Sequence, residues 1–360
     1  MTGQHLPCFC LYLLSKIFLS MIKESTIRQL KNFVEEAENI AIIPHHNPDG
    51  DAIGASLAWY GVLKLLGKNV NVISPNSFPE FLEWMPDAGK VVNYDTDKSK
   101  VTSLLSSADL LFFLDFNALS RIKALQHPVK EFVGKKIMID HHPGPDNIAD
   151  IMISEPSASA TCELMYDVIA QAGWKSLLNK ELAECIYAGI MTDTGSLSYN
   201  SGRPEIYQIV GDLVGIGVDK DKVHKLVFHS NSFSRMKLLG YALGSKMNKL
   251  DDAPAAYIVL TDEELKEYNY KPGDSEGFVN YPLWIEGIVI SALFMEHPDK
   301  IKVSLRSRGA FPVNKFSERY FNGGGHVNAA GGEFFGKLED AVETFKVKLP
   351  EFVKTVGSQQ

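Results

Sequence analysis

Asn39-Ile40-Ala41-Ile42-Ile43-Pro44-His45-His46-Asn47-Pro48-Asp49-Gly50-Asp51-Ala52 decides how this chain is read. The apolar run through Ile43 has the pattern of a strand buried on both faces of a parallel sheet. Ala52 to Leu66 carries a helical pattern. Between them, His45, Asp49 and Asp51 fall within seven residues. A strand that empties through a polar turn into a helix is where open α/β sheets keep their sites. Imidazole and carboxylate donors gathered in such a turn suit a divalent metal.

Three further segments repeat the design. Phe112-Phe113-Leu114-Asp115 is an apolar run ending in an aspartate. Lys136-Ile137-Met138-Ile139-Asp140-His141-His142 does the same and adds two histidines. Ile190-Met191-Thr192-Asp193-Thr194-Gly195 places an aspartate after a helical or extended apolar stretch. Neighbouring strand ends converge, so these donors are expected to share one site. Asp140 is expected to orient a histidine of its own motif, because a carboxylate behind an imidazole fixes its tautomer and direction. Isolated aspartates such as Asp87, Asp109 and Asp146 read as caps or turn residues. His127, His224, His229 and His297 read as ordinary satisfied groups.

Outward from the motifs, strand-like runs Ile40–Ile43, Val70–Ser74, Leu110–Leu114 and Lys136–Ile139 alternate with helical patterns Ile27–Glu38, Ala52–Leu66, Ala160–Ala172 and Leu182–Ile190. This predicts an α/β fold whose N-terminal domain (21–204) is a mainly parallel sheet flanked by helices. Residues 205–235 read as a helical connector. Residues 236–350 read as a smaller mixed α/β domain, with strands Ala256–Leu260, Gly287–Phe294 and Lys302–Leu305 and a closing helix near Glu339–Lys348. Ser25 reads as a helix N-cap. Residues 1–20 are apolar but lack a basic leader, and Lys16 interrupts them; they read as an upstream extension before Met21.

The chain has 360 residues, 22% charged residues and a net charge of -8. This is the composition of a soluble globular protein, expected in the cytoplasm without a membrane anchor. Coating a long duplex takes many Lys and Arg contacts to phosphate, so the acidic balance points to a short substrate. Four cysteines in a chain of this length give no disulfide framework. Cys162 and Cys185 read as core residues, and Cys8 with Cys10 lacks the second ligand pair of a zinc site.

The succession H-x-x-P-D-x-D, D, D-H-H and T-D-T-G resembles the four motifs of the DHH phosphoesterase superfamily. Asn322-Gly323-Gly324-Gly325-His326-Val327-Asn328-Ala329-Ala330-Gly331 resembles the glycine-rich segment of its DHHA1 domain. The nanoRNase/pAp phosphatase branch is the best match. The resemblance implies two divalent cations, manganese, held by His45, Asp49 and Asp115 on one side and by Asp51, Asp115, His141 and Asp193 on the other, with Asp115 bridging. A carboxylate bridge would hold such a pair at about 3.5–4 Å and activate a water for in-line attack on phosphorus. His142 is implied near the scissile phosphate.

Gly323, Gly324, Gly325 and His326 are expected to bind phosphate, the glycines because they let backbone approach an anion closely. Arg306 and Ser307, on a strand, and Asn117 and Arg121, after the second motif, are expected to contact substrate. The implied activity is hydrolysis of short oligoribonucleotides to 5′-mononucleotides and of pAp to AMP, by a homodimer. The rival readings are a phosphodiesterase of cyclic or linear dinucleotides (pApA, pGpG) and a nucleotide-binding module without catalysis.

Overall fold

A computed structural model describes residues 22–229, 231–309 and 311–357. The readings made for residues 1–20, including Cys8 and Cys10, lie outside them. The chain forms two compact units: residues through Phe78 with Leu82–Val223, and Pro79–Phe81 with residues from His224 onward.

The first unit is a six-stranded, wholly parallel sheet in the order β3-β2-β1-β4-β5-β6. Its strands are β1 (Asn39–Pro44), β2 (Asn69–Ser74), β3 (Val92–Asn93), β4 (Leu110–Leu114), β5 (Lys135–Asp140) and β6 (Ile151–Ser154). Its helices are α1 (Glu24–Glu36), α2 (Gly50–Leu65), α3 (Lys98–Ser107), α4 (Gln126–Lys130), α5 (Thr161–Gln171), α6 (Lys180–Asp193) and α7 (Pro204–Ile216). Alternate residues of the central strands feed two cores. Ala41, Ile43, Leu111, Phe113 and Met138 pack with Val101, Leu105 and Val129 from α3 and α4. On the other face, Trp59 of α2 meets Phe112 edge to face at 5.2 Å. The strand order reverses between β1 and β4, and at such a switch point the loops at the carboxyl ends part to leave a crevice.

Helix α2 is buried almost all round because it lies between the sheet and the α5–α6 layer. Close approach is permitted by Gly189 of α6, where a Cβ would lie 2.3 Å from Cys162 Sγ and 3.0 Å from Asp51 Oδ1. Helix α1 begins at Glu24, with Lys23 as N-cap and no side-chain cap bond, so Ser25 lies inside the first turn instead of capping it. Cys162 and Cys185 are fully buried.

Helix α8 (Lys220–Phe228) runs across the division between the units. The second unit is a mixed sheet in the order β11-β12-β10-β9-β8-β7. Its strands are β7 (Met247–Lys249), β8 (Ala255–Leu260), β9 (Ile290–Glu296), β10 (Ile301–Ser307), β11 (Gly324–His326) and β12 (Ala329–Phe334). Only β8 and β9 pair in parallel. Helices α11 (Val313–Tyr320) and α12 (Leu338–Gly357) cover one face with Phe316 and Phe345. Helix α9 (Phe233–Ser245) covers part of the other with Leu238, Leu239 and Ala242, and the short α10 (Asp262–Glu267) adds Leu265. No helix among the described residues is long and apolar enough to cross a membrane.

Candidate metal centre

The carboxyl end of β1 delivers His45, and the turn to α2 delivers Asp49 and Asp51. Asp49 is the N-cap of α2: its Oδ1 accepts from the backbone N–H groups of Asp51 at 3.0 Å and Ala52 at 3.1 Å. Its Oδ2 lies 3.8 Å from His45 Nε2. Asp115 directly follows β4 with φ +66, a backbone state uncommon for a residue with a Cβ. Asp140 ends β5 and is followed by His141 and His142. Asp193 ends α6, so it comes from a helix C-terminus and not from a strand.

These side chains converge. His45 Nε2 lies 3.4 Å from Asp115 Oδ2. His141 Nε2 lies 3.6 Å from Asp115 Oδ1, 3.5 Å from Asp193 Oδ2 and 3.8 Å from Asp51 Oδ2. Asp115 therefore turns one oxygen toward each imidazole. Most of these spacings exceed those of direct hydrogen bonds. His45, Asp49 and Asp115 form one group able to hold a cation, and Asp51, His141 and Asp193 form another.

Each imidazole is aimed from behind. His45 Nδ1 is 2.9 Å from its neighbour's carbonyl, His46 O, and His141 Nδ1 is 3.2 Å from Ala158 O. A carbonyl can only accept, so both rings donate from Nδ1 and turn Nε2 toward the carboxylates. Oxygen donors with two such imidazoles fit a hard or borderline divalent ion. Burial opposes the charged form of both rings, but the carboxylates outweigh it: Asp115 and Asp49 lift His45 to about 10, and Asp193, Asp115 and Asp51 lift His141 to about 9. Burial and the neighbouring Asp115 and Asp193 push Asp51 well above the usual carboxylate range.

His142 stands apart electrostatically. Its Nδ1 is 2.7 Å from Asp140 Oδ1, and its backbone N–H donates to Asp140 Oδ2 at 3.0 Å. Burial presses the ring down to about 3, so it is neutral at neutral pH, and burial lifts Asp140 to about 6. Arg121 contributes to the field at both groups. Its backbone carbonyl accepts from His46 N–H at 2.8 Å, which fixes the motif turn. Asn117 donates to Pro143 O at 2.8 Å, tying the segment after β4 to the one after His142.

In the second unit, Arg306 lies half-buried on β10, opposite Ser291 of β9 and Ala329 of β12. The Ser307 hydroxyl is engaged internally, donating to Phe311 O at 2.7 Å and accepting from Asn328 Nδ2 at 2.8 Å. The glycine run is not a turn. Gly324, Gly325 and His326 form strand β11 and pair with Gly331, Ala330 and Ala329. Gly323 is demanded by packing, since a Cβ there would lie 1.9 Å from Gly331 O.

Sequence reasoning missed the segment that braces the centre. Thr161 and Cys162, at the start of α5, donate their backbone N–H groups to Asp51 Oδ2 and Oδ1 at 2.6 and 2.8 Å. Thr161 Oγ1 donates to Asp115 Oδ1 at 2.8 Å. The helix N-terminus thus satisfies its own orphan donors on an acidic side chain of the site.

Oxygen-rich donors and two aimed imidazoles over the carboxyl ends of a parallel sheet are a donor set that suits a metal-dependent α/β enzyme. Residues 39–190 match the model of the DHH family, N-terminal domain, and residues 252–355 match that of the DHHA1 domain. The bifunctional oligoribonuclease and PAP phosphatase NrnA of Thermus thermophilus is 32% identical over 88% of this chain and 91% of its own length. The protein of the same name from Bacillus subtilis is 26% identical over 83% and 90%. A crystal structure of an exopolyphosphatase-related protein from Bacteroides fragilis superposes with a TM-score of 0.88 at 45% identity, covering 92% of this chain and 97% of that one. The chain belongs to the DHH–DHHA1 family of phosphoesterases and is a hydrolase of phosphoric ester bonds.

Proposed function

We propose that this enzyme uses two manganese ions to hydrolyse short oligoribonucleotides to 5′-mononucleotides and also removes the 3′-phosphate of pAp. The observation that carries the reading is the split of Asp115, with Oδ2 toward His45 and Oδ1 toward His141. A carboxylate so placed suits two cations sharing it. His45, Asp49 and Asp115 would hold one; Asp51, Asp115, His141 and Asp193 would hold the other. Bound there, the pair supplies Lewis acidity toward the phosphoryl oxygens and a water of lowered pKa.

The chain's own residues do the rest. Asp140 holds Nδ1 of His142, which assigns Nε2 to substrate. An incoming phosphate brings negative charge to that nitrogen and raises its pKa, so the ring takes up a proton with substrate. Asp140 stabilises the resulting imidazolium, which then serves the phosphate or the leaving oxygen. Arg306 supplies a forked cation for a second phosphate, and His326 with the Gly323–Gly325 backbone supplies further donors. The names of the two NrnA relatives, an oligoribonuclease and a PAP phosphatase, support this substrate class.

The test is a product analysis. Purified protein with Mn2+ is incubated with pGpG, a 5-mer RNA and pAp, and products are followed by chromatography. The proposal expects mononucleotides from the first two and AMP from the third. Cleavage of pGpG alone would give the enzyme to dinucleotides, and turnover of none would overturn the substrate assignment.

A further inference from the structure

Behind the metal centre lies an ion pair between a buried glutamate and a part-exposed arginine, outside all four motifs. Glu163, in the first turn of α5, is fully buried. Its Oε2 accepts from Ser159 N–H at 2.6 Å, and its Oε1 lies 3.2 Å from Arg203 Nη1. The same Nη1 donates to Ser157 O at 3.0 Å. Arg203 stands just before α7, and its Nε faces Glu205 at 3.5 Å. The pair therefore grips the chain on both sides of Ala158: the carbonyl before it and the N–H after it.

What lies between and beyond those grips is functional backbone. Ala158 O is the acceptor that holds His141 Nδ1. Three residues on, Thr161 and Cys162 clamp both oxygens of Asp51, and the Thr161 hydroxyl holds Asp115. A carboxylate with no exposure is costly unless paired. A loop need not be fastened this way for stability alone, since apolar packing does that at lower cost. The directional contacts are the two hydrogen bonds to Ser157 O and Ser159 N–H, and the charge attraction between Glu163 and Arg203 at 3.2 Å holds the two side chains that make them.

We propose that Arg203 and Glu163 are positioning residues of the metal centre, their ion pair fixing the Ser157–Cys162 backbone that aims His141 and Asp51 at a divalent cation. The inference rests on the two-cation reading above and deepens it. It makes metal affinity, not the chemical step, the property under the pair's control. Partners behind a metal ligand are typically worth about 10–100-fold in affinity.

The experiment is a calorimetric Mn2+ titration of the full chain, wild type against Arg203→Ala, Glu163→Gln and Arg203→Lys, each checked for fold by circular dichroism and Tm. Tyr166→Phe serves as the stability control. It removes the 2.5 Å bond from α5 to Asp212 of α7 without touching the 157–162 segment. Arg203→Ala is expected to weaken Mn2+ binding about 10–100-fold, Glu163→Gln less, and Arg203→Lys to recover part of the loss. Tyr166→Phe is expected to lower Tm with an unchanged isotherm. Turnover of pGpG by Arg203→Ala should return toward wild type at saturating Mn2+.

Wild-type affinity in a folded Arg203→Ala chain overturns the proposal. Should that variant fail to fold, wild-type affinity in both Glu163→Gln and Arg203→Lys overturns it equally. Equal loss of affinity in Tyr166→Phe would reduce the pair to a stability element. Normal Mn2+ binding by a wild-type chain that cleaves none of the phosphoesters would overturn the proposed function. It would leave the clamp to be decided by the isotherms.

Discussion

Asp140 grips His142 twice, with Oδ1 2.7 Å from the ring Nδ1 and Oδ2 accepting the backbone N–H at 3.0 Å. Both atoms of the carboxylate are spent on one neighbour, and the side chain is wholly buried. The arrangement suits a group that orients His142, although Asp140 also lies within reach of Asp115 in a set of donors able to hold a cation. Asp140→Asn should therefore lower kcat on pGpG by about 10–100-fold, because an amide in place of the carboxylate neither fixes the tautomer nor stabilises an imidazolium. Mn2+ affinity should change little. Steady-state kinetics at saturating metal check this, and recovery of kcat with added Mn2+ would reassign Asp140 to the ligand set.

Asp115 makes a different prediction, because its two oxygens serve two imidazoles. Asp115→Asn should bind fewer than two Mn2+ per chain by calorimetry and lose turnover by a factor on the order of 10³, the size of a lost transition-state electrostatic contact. The fold should persist, since the residue lies at a loop beyond β4 and not in a core. Stoichiometry held at two would break the bridging assignment.

The strand-end aspartates were legible in the sequence for a physical reason. A parallel strand is apolar throughout, so a charged residue at its end marks both the strand's limit and the edge of the crevice. His45, Asp115 and Asp140–His142 could be found this way. Ala158 could not, because its contribution is a backbone carbonyl and any residue offers one. Thr161 fell within the helical pattern Ala160–Ala172, where nothing set it apart from its neighbours. Its role depends on where α5 points, which tertiary packing decides. The glycine run was expected to hold phosphate because glycine lets backbone approach an anion closely. Gly324 and Gly325 belong to a strand paired with Gly331 and Ala330, and Gly323 packs on Gly331 O, tertiary contacts that no local pattern reveals.

Arg306 should act through binding. It lies on β10 opposite the buried Ser291 of β9, and its Nη1 donates to Leu305 O at 3.0 Å. A charge-assisted contact to phosphate is worth about 1.5–3 kcal/mol, so Arg306→Ala should raise KM for pGpG by about 10–100-fold with a smaller change in kcat. Arg306→Lys should recover only part, because an ammonium cannot reproduce the bidentate fork. An unchanged KM in a folded Arg306→Ala protein would remove the residue from the substrate site.

Gly189 tests the packing that brings α6 against Asp51. An added Cβ would meet Cys162 Sγ at 2.3 Å and Asp51 Oδ1 at 3.0 Å. Gly189→Ala should cost about 1–3 kcal/mol of stability by overpacking and weaken Mn2+ binding by displacing Asp51. Adding Cys162→Ala removes the closer clash, so Tm should rise again in the double variant while the metal defect persists in part. If the double variant is no more stable than Gly189→Ala alone, the sulfur is not what the methyl strikes.

The metal-free centre has a proton inventory of its own. His45 and His141 are held up to about 10 and about 9 by carboxylates that outweigh burial. Both rings bind protons more tightly folded than unfolded, where the value is about 6.5. The stability they contribute is thus present in full below about pH 6.5 and drains away as pH rises through about 9 to 10. A bound divalent cation needs both rings neutral, so binding must expel those protons. Two opposite trends follow. For chelator-treated protein, the contribution of these rings should lower Tm between pH 7 and pH 10. Over the same range below metal hydrolysis, the Tm increase produced by a fixed Mn2+ concentration should grow, and calorimetry at pH 7 in buffers of different ionisation enthalpy should register proton release on binding. A Mn2+-induced shift independent of pH, with no protons released, would mean that His45 and His141 are already neutral and that the carboxylates around them do not set their charge.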